Sequence, residues 1–300
     1  MTDLQIASIQ DVRRYARGAL AAAGAVDLAP VPVDDVVAAV GLHKASLFDL
    51  GEPDLPPRIR ELAKKFTGRV LGAMAIKEKI LYVDESLSPT RRRFTQAHEI
   101  GHHALPWHEG AYFVDDRTTL SPHTRRLLEQ EANAFAAEVL FGLNRFTDEA
   151  DAYRPGLGGP LTIAGRYGAS SHAALRRYAE TSGHPVALVA FGRYTTHGGR
   201  ALKVFPSQCA TSGSFAERYG NVTTFFGDHV LTARSPALAT LATLSDQVHE
   251  DTLEMPLETR RGAVTFRAGL FYNQHLRFML LTRRTVLGRR ARAVNQPTTA

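Results

Sequence analysis

One cysteine, Cys209, stands in a chain of 300 residues. A single thiol excludes an intrachain disulfide and a cysteine-based zinc cluster, and it suits a reducing cytoplasm. Long apolar runs are also missing. The longest, Ala19 to Val26, falls far short of the ~20 residues that a membrane helix needs, so no membrane role is expected. The opening residues Met1-Thr2-Asp3-Leu4-Gln5 have no apolar signal-peptide core. Internal repeats and low-complexity tracts are lacking too. What remains is an ordinary globular composition, 44% hydrophobic and 22% charged, with enough chain for two or three domains. The net charge is +6, and part of the surplus is Arg283, Arg284, Arg289, Arg290 and Arg292. A basic end of this kind is read as solubilising, with weak, salt-sensitive, non-specific nucleic-acid binding at most.

Against this plain background one pentapeptide carries chemistry: His98-Glu99-Ile100-Gly101-His102. On a helix, positions i and i+4 share a face one turn apart, so two imidazoles reach one metal ion. Glu99 points off that axis and suits a base better than a ligand. This is the H-E-x-x-H arrangement of zinc peptidases. Zinc lowers the pKa of its water toward ~7, and a carboxylate takes the proton as that water attacks a carbonyl. With 12 His and 15 Glu, chance supplies roughly 0.02 such motifs per chain. The competing reading is a pair of surface histidines. Phe94, Ala97, Ile100, Gly101, Ala104 and Leu105 argue against it, because they make an apolar stripe that predicts a buried helix.

Catalytic zinc commonly takes three protein ligands. The run from Thr124 to Leu140 has no Pro or Gly and reads as a helix with Leu128, Ala132, Phe135, Ala136 and Val139 on its apolar face. Glu129 and Glu131 lie about 200° apart on such a helix, so only one faces the metal. Glu129 is preferred and Glu131 is second. The unused carboxylate, and Glu138, are expected to be solvated.

The run Arg92-Arg93-Phe94-Thr95-Gln96-Ala97-His98-Glu99-Ile100-Gly101-His102, with Glu129-Gln130-Glu131-Ala132-Asn133-Ala134-Phe135-Ala136-Ala137-Glu138-Val139-Leu140 after it, resembles the ImmA/IrrE metallopeptidases. The resemblance implies zinc held by His98, His102 and Glu129, with Glu99 as base; manganese also accepts nitrogen and oxygen ligands and is the alternative metal in the cell. It favours Glu129 over Glu131. Phe141-Gly142 departs from the Met-Pro often found there, away from the chemistry. The rest of the chain is similar to the IrrE branch of radiation- and desiccation-response regulators. That implies a helix-turn-helix-like segment at Leu161 to Tyr178 and a GAF-like domain at Ala201 to Arg284. It also implies a cytoplasmic role in which a helix-turn-helix repressor of the XRE type is cut to induce a stress response.

The expected class is a multidomain α+β chain. A zincin-like helical peptidase domain with a small sheet spans residues 1–150. Residues 151–183 form a helix-turn-helix-like segment, residues 184–292 a GAF-like α/β sensing or docking domain, and 293–300 a disordered tail. Within the first part, residues 9 to 24 read as an amphipathic helix with Ile9, Val12, Tyr15 and Leu20 inward. Asp34 to Val40 and Arg58 to Phe66 read as helices, Ala45 to Phe48 as a strand, and Val70 to Ile76 with Ile80 to Val83 as a hairpin. Ser88-Pro89 starts the motif helix. Residues 154 to 160, rich in Gly and Pro, read as a linker. Gly168 ends one helix and Ser170 or Ser171 caps the next.

That spacing supports either DNA recognition through Ser171, His172, Arg176 and Arg177 or a packing hairpin. The hairpin is preferred, since few basic residues lie on the second helix. Val186 to Phe191, Val222 to Phe226, Ala263 to Tyr272 and Leu276 to Leu281 read as strands. Asn273-Gln274-His275 is a turn and Pro236 to Leu244 a helix. His103 is assigned to packing or to the surroundings of a ligand rather than to the metal itself. His108 fits a cleft or a surface loop equally, and Asp115 or Asp116 are candidates to orient a ligand imidazole.

Three functions compete: a site-specific metalloendopeptidase, a DNA-binding regulator with a structural or vestigial metal site, and a non-catalytic scaffold. An intact Glu99 favours the first, because a structural site has no use for that base.

Overall fold

The computed structural model describes residues 9–46, 72–75, 79–108, 122–196, 199–226, 230–232, 235–245 and 253–283. The expected helix at Arg58 to Phe66, Asp115, Asp116 and the tail at 293–300 lie outside them. The chain is α+β and divides into two compact units. Met1–Glu149 with Leu161–Ala174 make the first, and Ala150–Pro160 with Leu175–Ala300 make the second. Among the described residues, no helix is long and apolar enough to cross a membrane.

In the first unit, α1 (Ile9–Ala22) and α2 (Val33–Ala39) lead into β1 (His43–Ser46). β2 (Gly72–Ala75) and β3 (Ile80–Val83) are antiparallel, as the hairpin reading requires, and β1 runs parallel to β3 on its other side. α1 turns Val12, Ala16, Ala19 and Leu20 inward, while Ile9 is exposed. The inward set keeps the i, i+4, i+7, i+8 spacing of one helix face, and Ile9 is the first described residue. The core joins these residues to Val33, Val36 and Val37 of α2 and to Leu81 and Val83 of β3. Asp34 on α2 accepts from Gln96 Nε2 at 2.9 Å and pairs with Lys44 Nζ at 3.2 Å.

Two long helices complete this unit: α3 (Pro89–Ala104) and α4 (Pro122–Leu140). Ser88 and Pro89 occupy the N-cap and first turn of α3, although the Ser88 hydroxyl makes no capping bond. α5 (Arg145–Asp151) follows after a turn at Gly142 and Leu143.

The segment read as a linker is partly helical. α6 (Gly158–Ala164) begins at Gly158. Pro160 falls in the first turn, where its missing N–H costs no helical bond. Gly159 serves contact rather than flexibility. A Cβ there would come within 2.9 Å of both Ala150 O and Tyr153 Cβ. A 3-10 turn, Gly165–Tyr167, then closes at Gly168 in the left-handed region, and α7 (Ser171–Thr181) starts behind Ser170, whose Oγ accepts from Ala173 N. Helix end and cap stand where the sequence placed them.

The second unit holds a sheet in the order β7-β5-β4-β10-β9-β8, with β6 also paired to β4. Its strands are β4 (Val186–Thr196), β5 (Gly199–Val204), β6 (Ala210–Thr211), β7 (Val230–Thr232), β8 (Glu254–Thr259), β9 (Gly262–Tyr272) and β10 (Arg277–Thr282). Every pairing is antiparallel. Alternate residues Ala187, Val189 and Phe191 of β4 and Met279 and Leu281 of β10 share one apolar core, as the two-residue repeat of a strand demands. That core also takes Phe215 and Tyr219 of α8 (Gly213–Tyr219) and Ala237, Leu238 and Leu241 of α9 (Pro236–Thr243). The β9–β10 turn is held by Asn273 Oδ1, which accepts from His275 N and Leu276 N at 3.1 and 2.7 Å. One expected strand is absent: Val222–Thr224 is a 3-10 turn. Asn221 Oδ1 caps Thr223 N at 3.1 Å. Val222 and Phe226 still reach the core, so side-chain capping overrules β propensity here.

In the first unit, α3 and α4 approach closely at Gly101. A Cβ added there would lie 3.2 Å from Ala132 Cα and 3.2 Å from Phe135 Cβ. Both helices bury their apolar faces at this crossing: Ala97 and Ile100 from α3, Leu128, Ala132, Phe135, Ala136 and Val139 from α4. Gly101→Leu is expected to overpack the crossing and destabilise the first unit by about 1–3 kcal/mol. Urea unfolding of the variant beside wild type measures this.

Candidate metal centre

The i, i+4 spacing of α3 puts His98 and His102 one turn apart on the side facing α4, and their Nε2 atoms are 3.2 Å from each other. Glu129, on the second turn of α4, completes the cluster. Its Oε2 is 3.2 Å from His98 Nε2 and its Oε1 is 3.6 Å from His102 Nε2. The three groups offer ligand atoms that all lie within 4.8 Å of one another. A tetrahedral ion with ligand bonds of about 2.0–2.1 Å holds its ligand atoms about 3.3 Å apart. The observed separations therefore fit one small divalent cation, and two imidazoles with a carboxylate suit zinc.

Each histidine is oriented from behind. His98 Nδ1 lies 3.1 Å from Asn133 Oδ1. An amide oxygen only accepts, so Nδ1 donates to it and Nε2 is the ring nitrogen left facing the cluster. Glu129 and Asn133 sit four residues apart on one side of α4, as their spacing requires. His102 has a different backing: its Nδ1 is 3.0 Å from His108 Nδ1. His108 is fully buried, and its Nε2 lies 2.9 Å from Glu131 Oε2, the oxygen that also accepts from Trp107 Nε1 at 2.8 Å.

Electrostatics follow the geometry. Burial pulls the His98 imidazolium down, but the Glu129 hydrogen bond and the charges of Glu99 and Glu129 outweigh it and hold its pKa above the usual histidine range. The bond from His98 is the largest influence on Glu129, which overcomes burial and keeps that carboxyl below its ordinary range. His108 goes the other way: burial prevails over the pull of Glu131 and holds its pKa down. Glu99 is half-buried on α3 between the two histidines.

Several expectations change here. Phe94 is exposed, 38%, with its ring 6.2 Å from that of His98. It lies beside the cluster rather than in the core. The buried stripe keeps Ala97, Ile100, Gly101 and Leu105, while Ala104 is half-buried. Neither spare carboxylate is solvated. Glu131 is buried on Trp107 and His108, and Glu138 is buried with Arg13 Nε at 3.6 Å. Both lie on the side of α4 that packs inward, where a carboxylate persists only when paired. His103 meets its packing assignment, with Nε2 3.1 Å from Val40 O. On α7, Arg177 is buried, while Arg176 bonds Glu180 at 2.8 Å and Ser207 O at 3.1 Å. Ser171 and His172 are half-buried. The link from His102 to His108 and Glu131 escaped the sequence reading, because residues 102 and 108 belong to no common periodic face.

Residues 59–178 match the Peptidase_M78 family, described as the IrrE N-terminal-like domain. The matched stretch is less than half of the chain and contains His98, Glu99, His102 and Glu129. It bears out the resemblance to the ImmA/IrrE proteins. Among solved structures, a Mycobacterium tuberculosis transcriptional regulator is similar, with a TM-score of 0.50 and 12% identity over 92% of this chain and 80% of that one. At this identity the likeness is one of fold. No curated protein matches the chain.

His98→Ala is expected to abolish stoichiometric binding of a divalent ion, whereas His103→Ala, whose ring bonds Val40 O, retains it. Metal content after exhaustive dialysis distinguishes the two. Equal retention of metal by His98→Ala would remove this assignment.

Proposed function

We propose that this protein is a zinc-dependent, site-specific endopeptidase that cuts a small helix-turn-helix repressor of the XRE type and so induces a stress response to DNA damage. The family match supports the coarser part, a metallopeptidase of regulatory type. The observation that carries the chemistry is the convergence of His98, His102 and Glu129 on one point, with Glu99 in the same turn of helix. His98, His102 and Glu129 would hold the ion. Once bound, the ion supplies Lewis acidity that polarises the scissile carbonyl and acidifies water.

The other steps belong to the chain. Glu99 accepts the proton of the attacking water and returns it to the departing amine. His102 is 7% exposed and Glu129 49%, so the cluster is closed behind and open on the Glu129 side, where a peptide can enter. Exposed Phe94 gives that side an apolar contact.

The repressor as partner comes from the family resemblance. The appended second unit, with its own apolar core, supports a narrow substrate range. Binding remote from the reacting atoms can present one bond and reject others. A cytoplasmic setting suits a selective enzyme, since an indiscriminate one would be toxic there. Direct DNA binding is the weaker reading, because the α7 arginines that would touch bases are occupied within the chain.

Glu99→Gln is expected to keep its metal and to lose about 10²–10⁴-fold in turnover. The test incubates wild type and variant with candidate repressors, with and without chelator, and with casein alongside. A single chelator-sensitive cut in one repressor by wild type alone supports the proposal. Broad casein digestion, equal activity in Glu99→Gln, or an operator-specific DNA shift by the intact variant counts against it.

A further inference from the structure

Behind His102 lies a buried polar array that the chemistry above does not use. It contains four groups in series: His102, His108, Glu131 and Trp107. His108 has no exposed surface, and the side chains of His102 and Glu131 are 7% and 10% exposed. Polar groups this deep persist when each donor meets an acceptor.

The end group fixes the direction of the two bonds at Glu131, and a neutral His108 then fixes the one at His102. An indole N–H can only donate, and a carboxylate can only accept. Trp107 Nε1 therefore donates to Glu131 Oε2 at 2.8 Å. His108 Nε2, 2.9 Å from the same oxygen, also donates. A neutral His108 with its proton on Nε2 presents a lone pair at Nδ1. That atom faces His102 Nδ1 at 3.0 Å, so the proton between them sits on His102. Nε2 is then the ring nitrogen of His102 that faces the cluster, 3.2 Å from His98 Nε2 and 3.6 Å from Glu129 Oε1.

We infer that Glu131, acting through His108, is a positioning residue for His102, setting its tautomer and ring angle and raising the donor strength of Nε2 toward the metal. This deepens the metal-site reading and rests on it. The two histidines of the motif are thereby unequal. His98 is backed by the neutral amide of Asn133, and His102 by an imidazole with a carboxylate behind it. A carboxylate in line with a ligand imidazole raises ligand basicity, and its loss typically weakens metal binding about 10–100-fold. The array also explains why α4 spends a second glutamate two residues from the first. Glu129 and Glu131 point to different sides of the helix, one to the cluster and one to the rear of its ligand.

The test measures zinc affinity by competition with a chromophoric chelator, for wild type, Glu131→Gln, His108→Leu and His98→Ala. Glu131→Gln keeps an acceptor oxygen of the same reach for Trp107 and His108, removes the charge, and puts an amide NH2 in place of the other carboxylate oxygen. It should fold with an unchanged melting temperature in the metal-free state and bind zinc about 10-fold or more weakly. Nitrogen-15 histidine spectra of the zinc-loaded wild type should show His102 protonated at Nδ1 and His108 at Nε2. A loss of affinity in Glu131→Gln below about 10-fold, or a His108 proton on Nδ1, overturns the inference. If His108→Leu does not fold, Glu131→Gln and the spectra decide alone. If wild type binds no zinc, or His98→Ala binds it equally, the metal reading itself fails and takes the array's role with it.

Discussion

The approach of α3 to α4 at Gly101 is the constraint on which the site depends. Two histidines on one helix can face a metal, but a single helix cannot supply the third ligand from the same face. The carboxylate must come from a neighbour close enough to reach. Gly101 lies one residue before His102, and it faces Ala132 Cα at a distance that leaves no room for a larger residue. Ala132 in turn lies three residues past Glu129. The smallness of positions 101 and 132 thus sets the spacing between Glu129 and both imidazoles. Packing energy and site geometry are fixed by one contact, so the chemistry inherits the rigidity of a close-packed core.

Burial of charge follows from the same helix pair. α4 carries three carboxylates, and their environments differ by rotation about its axis. Glu129 is half-exposed and leans on the histidines. Glu131 is turned under Trp107 and His108. Glu138 is buried against Arg13 of α1, and the same guanidinium bonds Asn144. A buried carboxylate without partners would be driven to its neutral form. The pairings show that Glu131 and Glu138 are built into the interior of the unit and are not surface solubilisers.

Much of this was legible in the sequence because it is periodic. The i, i+4 histidines, the apolar face at Leu128, Ala132, Phe135, Ala136 and Val139, the Ser88-Pro89 start and the Gly168 stop all obey local rules, and the helices appear where those rules put them. Non-local features were not legible. Phe94 belongs to the apolar stripe by spacing, yet it is exposed, since the stripe is wider than the surface it packs on. Gly158, Gly159 and Pro160 have turn-like composition, and only contact with Ala150 and Tyr153 reveals why the glycine is needed. Val222 to Phe226 reads as a strand by residue type and becomes a 3-10 turn through a cap supplied by Asn221. Glu131 and Glu138 look solvated until the partner helices and His108 are placed around them.

The exposure of the three candidate ligands bears on whether the centre is structural or chemical. A structural ion is enclosed on every side, because its role is complete when its ligands are satisfied. Here exposure rises from His102 at 7%, through His98 at 15%, to Glu129 at 49%. The rear is sealed by the array that ends at Trp107, and the front opens past Glu129 and Phe94. A closed rear holds the imidazoles at fixed angles, and an open front leaves room for a group that is not part of the chain. Glu99 gains a purpose only in that arrangement. It lies in the turn between the two histidines, where its charge helps to raise the His98 pKa. The exposure gradient and a carboxylate in the same turn of helix are what the proposed chemistry requires and a purely structural ion does not.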